Sequence, residues 1–324
     1  MRYVNDAHIR ELGIDWHELI TVIEQVVRTI DAGDYAQPLK PYLRFGDPAN
    51  RIIAMPAYVG GGVVMSGIKW IASFPGNHRH GLPRAHCVVI LNDPVTGKPA
   101  ACFEGGLLSG LRTAAVSGLM IRQYMAVRGA AAARKVGIVG WGPIGRLHAA
   151  MAKDVLGPAL ERITVFDLNG VDPDTIDSAL RPFIEVNDGW RAPFRESDVF
   201  MTTTVAKERY IDEAPADGKL LLNISLRDYL PESVRAVRAV VVDDWHEVCR
   251  ENTDIERLHL DHGLKQSDAL TIADVVCRGK LADYGPEDAV FFSPMGLAAF
   301  DIGIAAYFLR KAGVRGIGID LPSE

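Results

Sequence analysis

Three glycines follow a short apolar run near the middle of the chain, in the stretch VGIVGWGPIGRLHAAM. They are Gly140, Gly142 and Gly145, and they form the pattern G-x-G-x-x-G between a predicted strand and a predicted amphipathic helix. In this context the first glycine permits a tight turn, the second lets the backbone approach a pyrophosphate, and the third lets the helix pack on the strand. The stretch therefore predicts a dinucleotide site, in preference to a helix start with incidental glycines.

A carboxylate at the end of the next strand indicates which dinucleotide binds. Asp167 closes the run ITVFD, where it can accept hydrogen bonds from an adenosine ribose. It would repel a 2′-phosphate, and no arginine follows it directly in DLNG, so the sequence favours NAD over NADP. The spacing from Gly140 to Asp167 exceeds the usual distance of about 20 residues, which a longer helix and loop can absorb.

Four cationic residues could hold a substrate against a nicotinamide. Lys69 lies among apolar residues in SGIKWIAS, where a lysine needs a partner or a lowered pKa; the alternative is a surface or salt-bridged lysine. Arg112 follows Ser109, a predicted helix cap, and could bind a carboxylate or a cofactor phosphate, or be an ordinary exposed arginine. Lys40 and Arg44 add two positive charges in QPLKPYLR, for which the alternative is a solvated loop.

One acid and several histidines complete the candidate groups. Asp228 follows an apolar strand in LLLNISLRDYLPESV, at the edge where ligands gather in such sheets, and could activate water or orient a lysine. It could instead cap a helix that begins at PESV. The histidines in HLDHG and HEVC lack a third ligand, and no G-x-S-x-G elbow is present, so we expect neither a metal site nor a Ser-His-Asp triad.

Composition and charge limit the possible classes of protein. The chain has 324 residues, is 48% hydrophobic and has a net charge of −6 with acids and bases interspersed, so we expect no nucleic-acid partner. The charged N-terminal residues and the absence of an apolar run of about 18 residues predict a cytoplasmic protein without a membrane span. The cysteines form no C-x-x-C pair and are expected to be buried thiols in a reducing compartment: Cys87, Cys102, Cys249 and Cys277.

Two domains are predicted to position these groups. A helix capped by Asp15 precedes four β-rich runs of a largely antiparallel sheet, RIIAMPAYV, VMSGIKWIAS, AHCVVILND and KPAACFEGG. From Lys135 onward, apolar strands alternate with helices, which is typical of a parallel sheet covered on both faces. We predict an α/β fold, with a Rossmann-type doubly wound dinucleotide-binding domain at residues 116–296. An α+β substrate-binding domain comprises residues 1–115 plus 297–324, with the closing helix AAFDIGIAAYFLRKAG placed back across the first part of the chain.

These motifs resemble the ornithine cyclodeaminase/mu-crystallin family over nearly the whole chain. GIKW, LRTAAVS, VGIVGWGPIGRLH, VFD, LLLNISLRD and SPMGLAAFDIGIAAY occur in the order and spacing of the family. The resemblance implies catalytic roles for Lys69 and Asp228, carboxylate binding by Arg44, Arg112 and Lys40, and a homodimer in which the α+β domain is also the dimerisation domain. We assign the following residues to the cofactor site: Gly140, Gly142, Pro143, Ile144, Gly145, Asp167, Arg112, Thr113 and Thr204.

Within the family, the chain is most similar to dehydrogenases that use NAD⁺ and water to split N-(2-amino-2-carboxyethyl)-L-glutamate into 2-oxoglutarate and L-2,3-diaminopropionate, for siderophore or nonribosomal-peptide synthesis. This similarity lies in QPLKPYLR, RIIAMPAYVGG, SGIKWIAS, VVVDDW and SPMG. The chain also departs from the cyclodeaminases, because Ser225, Leu226 and Arg227 replace a glycine-rich segment. The stretch at residues 180–198 is shorter than in the family.

Three alternatives remain open at this point. An ornithine cyclodeaminase would recycle its NAD internally, and an NAD-dependent alanine or imino-acid dehydrogenase would release NADH with a simpler substrate. A crystallin-like ligand-binding protein would have no activity, but the intact Lys69 and Asp228 argue against it.

Overall fold

The structure is a computed structural model and describes residues 1–322. The strands, in chain order, are β1 (Arg2–Asn5), β2 (Tyr35–Ala36), β3 (Tyr42–Leu43), β4 (Arg51–Val59), β5 (Met65–Ser73), β6 (Ala85–Asn92), β7 (Pro99–Glu104), β8 (Lys135–Val139), β9 (Arg162–Phe166), β10 (Ile184–Val186), β11 (Val199–Thr202), β12 (Leu220–Asn223), β13 (Ala239–Val242), β14 (Ala269–Thr271), β15 (Val290–Ser293) and β16 (Ile319–Asp320). The α-helices are α1 (Asp6–Leu12), α2 (Trp16–Asp31), α3 (Leu107–Arg128), α4 (Pro143–Leu156), α5 (Arg191–Arg195), α6 (Pro231–Val234), α7 (Trp245–Val248), α8 (Asp254–His262), α9 (Ile272–Arg278) and α10 (Ala298–Arg315). Short 3-10 helices lie at Pro75–His80, Ala130–Ala132, Gly157–Ala159, Pro173–Thr175, Gln266–Asp268 and Lys280–Asp283. None of the helices in the described range is both long and apolar enough to cross a bilayer.

The chain divides into two compact units. Unit 1 comprises Met1–Arg112 and Gly296–Glu324, and unit 2 comprises Thr113–Met295. The domain boundaries that the sequence suggests, 1–115 plus 297–324 and 116–296, stay a prediction, because compactness does not test whether either part folds alone.

Unit 1 is built on a mixed sheet in the order β16-β1-β7-β6-β5-β4-β2, with β3 pairing to β4. The four runs predicted as strands are β4 to β7, which are consecutive and antiparallel. Alternate side chains of these strands, such as Met55, Lys69 and Val89, are buried on the inner face, which packs against α10. Helix α10 therefore lies on the sheet of the first part of the chain, as predicted, and α2 packs on α10.

The start of α3 differs from the prediction. The helix begins at Leu107, whose backbone N–H donates to the carboxylate of Asp6 at 3.2 Å. Ser109 therefore lies inside the first turn and is not the cap, because a side chain from α1 accepts from this helix end instead. Strands β1, β2, β3 and β16 are not predicted from the sequence, because they are too short to show an alternating pattern.

Burial of the cysteines is less complete than expected. Cys87 is buried on the inner face of β6, whereas the other three side chains are partly exposed. Cys102 lies on the outer face of β7, Cys249 directly follows α7, and Cys277 lies in the last turn of α9. These three cysteines are partly exposed because they lie at the ends of elements or on the outer face of the sheet, where neighbouring residues do not surround them completely.

Unit 2 contains a parallel sheet in the order β10-β9-β8-β11-β12-β15-β13-β14. Strands β11, β12, β13 and β15 are buried along their whole length, which explains their continuous apolar sequences. The chain passes from β8 to β9 on one side and returns to β11 on the other side of β8. This change of direction creates a topological switch point at the carboxyl end of β8, where α4 begins, and it defines a Rossmann-type domain.

Candidate active site

The turn between β8 and α4 has the geometry of a phosphate cradle. Gly140 has a φ of +100°, and a Cβ atom there would lie 2.7 Å from the carbonyl oxygen of Thr203. A Cβ on Gly145 would lie 2.0 Å from the carbonyl oxygen of Gly140, whereas a Cβ on Gly142 would meet open space. Gly140 and Gly145 are thus required by close packing, and Gly142 leaves room for a ligand. The first amides of α4 have no side-chain cap, so the turn fits a pyrophosphate group.

Thr203 fixes this turn from the neighbouring strand. Its hydroxyl donates to the carbonyl oxygen of Gly140 at 2.7 Å and lies 3.2 Å from that of Val139. Thr203 was not identified from the sequence, where its one signal is its position directly after β11.

Asp167 lies beside the glycine turn at the end of β9. One carboxylate oxygen accepts the backbone N–H of Trp141 at 2.6 Å, and the other accepts that of Asn169 at 2.9 Å. The indole of Trp141 donates to Thr175 at 3.0 Å, which ties the segment after β9 to the turn. A carboxylate in this position fits the ribose hydroxyls of an adenosine.

The other residues assigned to the cofactor site lie in different settings. Pro143 is exposed and Ile144 is half-buried in the first turn of α4. Thr113 is half-buried in α3, and the hydroxyl of Thr204 donates to the carboxylate of Asp228.

Asp228 is fully buried in unit 2 and has several partners. Its carboxylate accepts hydrogen bonds from the hydroxyls of Thr204 and Ser225, and its backbone N–H donates to Asp254 at 3.1 Å. It does not cap a helix, because α6 begins at Pro231 after Leu230. The capping alternative is therefore wrong, and the carboxylate is held by two hydroxyls in the loop that follows β12.

Asp254 supports this loop from the start of α8. One of its oxygens accepts from the side chain of Asn223 at 3.1 Å, in addition to the backbone amides of Asp228 and Tyr229, while the other accepts from Arg209 at 2.7 Å. Burial raises the pKa of Asp254 to about 6, and the charge of Arg209 opposes this shift. Neither Asp254 nor Asn223 was identified from the sequence, because acids are common in the first turn of a helix.

The same loop contains a residue with an unfavourable backbone conformation. Leu226 has a φ of +70° and a buried side chain. Its N–H donates to the side chain of Asn223 at 3.0 Å, and its carbonyl accepts from the N–H of Asp254 at 2.8 Å. The segment that departs from the cyclodeaminases is thus held rigidly in a left-handed turn despite the presence of a large side chain.

A second cluster lies within unit 1, on the inner face of its sheet. Lys69 in β5 is 2% exposed, and its amine donates to Ser109 at 2.8 Å and to Asp301 at 3.1 Å. Burial lowers the pKa of Lys69, Asp301 opposes this shift, and Arg112 reinforces it. Lys69 is thus salt-bridged and not on the surface, and an amine with a lowered pKa can accept a proton near neutral pH.

Arg112 and Lys40 belong to the same cluster. Arg112 is 7% exposed and donates through Nε to Asp301 at 3.1 Å, so it is not an exposed first-turn arginine. Lys40 is 4% exposed and donates to the carbonyl oxygen of Gly296 at 2.7 Å, which excludes a solvated loop for this residue. A Cβ on Gly296 would lie 2.5 Å from Nη1 of Arg112, so the two cations meet at this glycine.

Arg44 has a different environment from the other three cations. Its side chain is exposed, and the guanidinium carbon lies 5.3 Å from the ring centroid of Tyr42.

Asp301 was not identified from the sequence, although a signal was present. It is the only charged residue between Asp288 and Arg310, in an otherwise apolar stretch. A lone carboxylate in such a stretch needs a cationic partner when the helix is buried. In the described part of the chain, no group of three or more His, Cys, Asp or Glu side chains could hold a metal ion.

The parallel sheet, the glycine turn at its switch point and the adjacent carboxylate define a dinucleotide-binding enzyme of the Rossmann type. The model of the ornithine cyclodeaminase/mu-crystallin family matches residues 4–313, and the chain belongs to this family.

Similar proteins define the chemistry of the family more closely. The chain is 31% identical to the N-((2S)-2-amino-2-carboxyethyl)-L-glutamate dehydrogenase of Staphylococcus aureus, over 99% of this chain and 98% of that protein. The structure of Thermococcus litoralis Δ1-pyrroline-2-carboxylate reductase with NADH and L-proline superimposes with a TM-score of 0.88 at 23% identity, covering 99% of this chain and 100% of the other. An archaeal alanine dehydrogenase dimer with bound NAD gives a TM-score of 0.81 at 21% identity, covering 100% and 99%. The chain is thus an NAD-dependent oxidoreductase that acts on carbon–nitrogen bonds of amino acids.

Proposed function

We propose that the protein is a cytoplasmic enzyme that uses NAD⁺ and water to cleave N-(2-amino-2-carboxyethyl)-L-glutamate into 2-oxoglutarate and L-2,3-diaminopropionate, for siderophore or nonribosomal-peptide synthesis. The observation that carries the proposal is the set of buried charges in unit 1. Among its described residues, three cations, Lys40, Lys69 and Arg112, are buried with one carboxylate, Asp301. The identity with the staphylococcal dehydrogenase supports this substrate within the family.

The charges of the substrate match this cluster. A buried cation is costly unless it is paired, and a substrate with three carboxylates brings counter-charges for several cations. Arg112 would bind one carboxylate through its planar fork of donors, and Lys40 a second one. Arg44 is assigned to a third carboxylate. Alanine and ornithine each bring one carboxylate, so they match the two buried cations Arg112 and Lys40 less well.

Each catalytic group then has a defined task. Bound NAD⁺ supplies the acceptor for the hydride that leaves the α-carbon of the glutamate part. Lys69 takes the proton of the secondary amine, which its lowered pKa permits near neutral pH, and a carbon–nitrogen double bond results. Asp228 takes a proton from the water that adds to this carbon, and its two hydroxyl partners orient it. The adduct then separates into 2-oxoglutarate and diaminopropionate.

The cofactor residues complete the proposal. The turn at Gly140, Gly142 and Gly145 would hold the pyrophosphate, and Asp167 the ribose of the adenosine. Pro143, Ile144, Arg112, Thr113 and Thr204 are assigned to the remaining contacts.

Formation of NADH at 340 nm tests the reaction. Protein and NAD⁺ are mixed with N-(2-amino-2-carboxyethyl)-L-glutamate, and in parallel with ornithine, alanine and glutamate, and the products are separated. We expect one equivalent of NADH with 2-oxoglutarate and diaminopropionate from the first substrate. Proline and ammonia from ornithine without net NADH would identify a cyclodeaminase, and NADH from alanine alone an alanine dehydrogenase.

Two variants test the role of Lys69. Lys69→Met should lower turnover at least about 100-fold, the usual contribution of a positioned acid or base, while NADH affinity stays nearly unchanged. Lys98→Met, at an exposed lysine before β7, is the matched control and should retain full activity. Loss of NADH binding in Lys69→Met would contradict the assignment.

A homodimer formed through the outer face of the unit 1 sheet is part of this proposal. The outer face carries Pro56, Tyr58, Ile68 and Trp70, which are half-buried or exposed. The first three of these line a groove of about 400 Å³. A second copy of this chain is the proposed occupant, because the similar alanine dehydrogenase is a dimer and an apolar sheet face favours association. Light scattering should give twice the chain mass; Trp70→Glu should give monomers, and Val314→Glu, at an exposed site on α10, should not.

A further inference from the structure

Asp301 binds two cationic groups of the candidate site with a single oxygen. Its Oδ1 atom lies 3.1 Å from Nζ of Lys69 and 3.1 Å from Nε of Arg112. Its Oδ2 atom is enclosed and accepts no hydrogen bond within the part of the chain that the structure describes. The side chain is fully buried, so neither oxygen is open to solvent.

This arrangement is unfavourable for stability alone. A buried carboxylate loses its hydration, which costs free energy. Ion pairing offsets this cost only when the remaining lone pairs of the carboxylate also accept hydrogen bonds. Apolar residues of similar volume often replace buried ion pairs without loss of stability. The other buried residues of α10 are apolar, so an apolar residue would also suit this position. The effect of Asp301 must therefore be sought in the groups that it contacts.

The groups around Lys69 come from three elements. Asp301 faces it from α10, Arg112 and Ser109 from α3, and Cys87 from β6. Burial and the charge of Arg112 both lower the pKa of Lys69, and Asp301 is the carboxylate that raises it. Without Asp301, two buried cations would face each other with no negative charge between them.

We propose that Asp301 is a positioning residue that fixes Lys69 relative to Arg112 and keeps the Lys69 amine able to gain and lose a proton within the working pH range. The inference rests on the proton-accepting role proposed for Lys69. Because Asp301 is fully buried, it acts on the reaction through the two cations.

The pH dependence of turnover provides the first test. If Lys69 must be neutral to accept a proton, kcat/KM rises with pH along an acid limb set by its pKa. Asp301→Asn removes the charge at nearly constant shape, so the acid limb should move to lower pH by about one unit or more, because two unit charges in contact inside a protein interact by at least this amount. Asp301→Glu keeps the charge and should keep the limb close to its original position, with a lower kcat from altered geometry.

A second measurement is independent of any substrate. A lysine whose pKa is lowered in the folded state binds fewer protons than in the unfolded chain, so the free energy of unfolding rises with pH below the ordinary lysine pKa of about 10.4. Urea unfolding between pH 6 and 10 should therefore show wild type gaining stability relative to Lys69→Met as pH rises. The single variant Asp301→Asn is likewise compared with the double variant Asp301→Asn/Lys69→Met. The gain in stability should there occur at lower pH than in the wild-type comparison.

The outcomes separate the two proposals. An unshifted acid limb together with an unshifted stability gain in Asp301→Asn would overturn the role of Asp301. If Asp301→Asn does not fold, the wild type and Lys69→Met curves decide, and parallel curves would overturn it. A shifted stability gain in a protein that does not cleave N-(2-amino-2-carboxyethyl)-L-glutamate would refute the proposed substrate and leave the role of Asp301 intact.

Discussion

The carboxylate of Asp254 accepts the backbone N–H of Asp228 at 3.1 Å, so that one buried aspartate fastens the loop that carries another. The same oxygen also accepts from Asn223 and from the backbone of Tyr229, while the second oxygen accepts from Arg209. Both carboxylate positions of Asp254 must therefore be hydrogen-bond acceptors.

Asp254→Asn should destabilise the protein and misplace Asp228. The amide group keeps one oxygen, so its NH₂ must face either Arg209 or the donors on the other side. Loss of hydrogen bonds to a charged acceptor costs about 2–3 kcal/mol. Urea unfolding should show this decrease, and kcat should fall while NADH affinity is retained. Asp261→Asn, at a partly exposed position of the same helix, is the control; equal behaviour of the two variants would refute the role of Asp254.

Leu226 allows a comparison of backbone strain with side-chain burial. Its φ of +70° costs about 1–2 kcal/mol for a residue other than glycine. Truncation of a buried leucine costs about 2–5 kcal/mol. Leu226→Ala loses the packing and keeps the strain, whereas Leu226→Gly loses the packing and relieves the strain. The free energy of unfolding should therefore decrease in the order wild type, Leu226→Gly, Leu226→Ala, and an inverted order of the two variants in urea titrations would show that the turn is unstrained.

The sequence predicts the sheets better than the contacts within the sites. Helix α4 follows the glycine turn as predicted, since the glycines and Pro143 mark its start locally. Lys69 and Asp228 are recognisable because charged residues in or after apolar strands are unusual. Asp301 and Asp254 were missed because their partners are distant in the chain: Asp301 lies 232 residues from Lys69. Local patterns define elements, whereas tertiary packing alone brings such pairs into contact.

Asp167 should control both the strength and the type of dinucleotide binding. Its carboxylate is anchored by the N–H of Trp141, so it is held where ribose hydroxyls would donate to it. Charged hydrogen bonds of this kind contribute about 1.5–3 kcal/mol, so Asp167→Ser should weaken NADH binding about 10-fold or more. NADPH should bind relatively better, because the repulsion of its 2′-phosphate is removed. Fluorescence titration with both dinucleotides measures the ratio.

The exposed Asp217 supplies a control for this change, since Asp217→Asn removes a charge from the same unit. An unchanged ratio of NADH to NADPH affinity in Asp167→Ser would place the ribose elsewhere.

His148 should make the protein sensitive to mild acid. Its ring is fully buried between α3 and α4: Nδ1 lies 2.8 Å from the carbonyl oxygen of Ile144, and Nε2 lies 2.9 Å from the hydroxyl of Ser117. A carbonyl only accepts, so Nδ1 carries the proton and Nε2 accepts from Ser117. Burial lowers the pKa of His148 to about 4, which keeps the ring neutral.

The sign of the pH effect follows from this lowered pKa. Between pH about 6.5 and about 4 the unfolded chain takes up a proton at His148 that the folded chain does not bind, so the free energy of unfolding falls as pH decreases through this window. The full contribution is of the order of 3 kcal/mol. Urea unfolding of His148→Gln should lack this component, while His17→Gln, at an exposed position of α2, should retain it. Parallel curves for wild type and His148→Gln would mean that the buried ring is protonated as readily as a free one, which would contradict a neutral ring that accepts from Ser117.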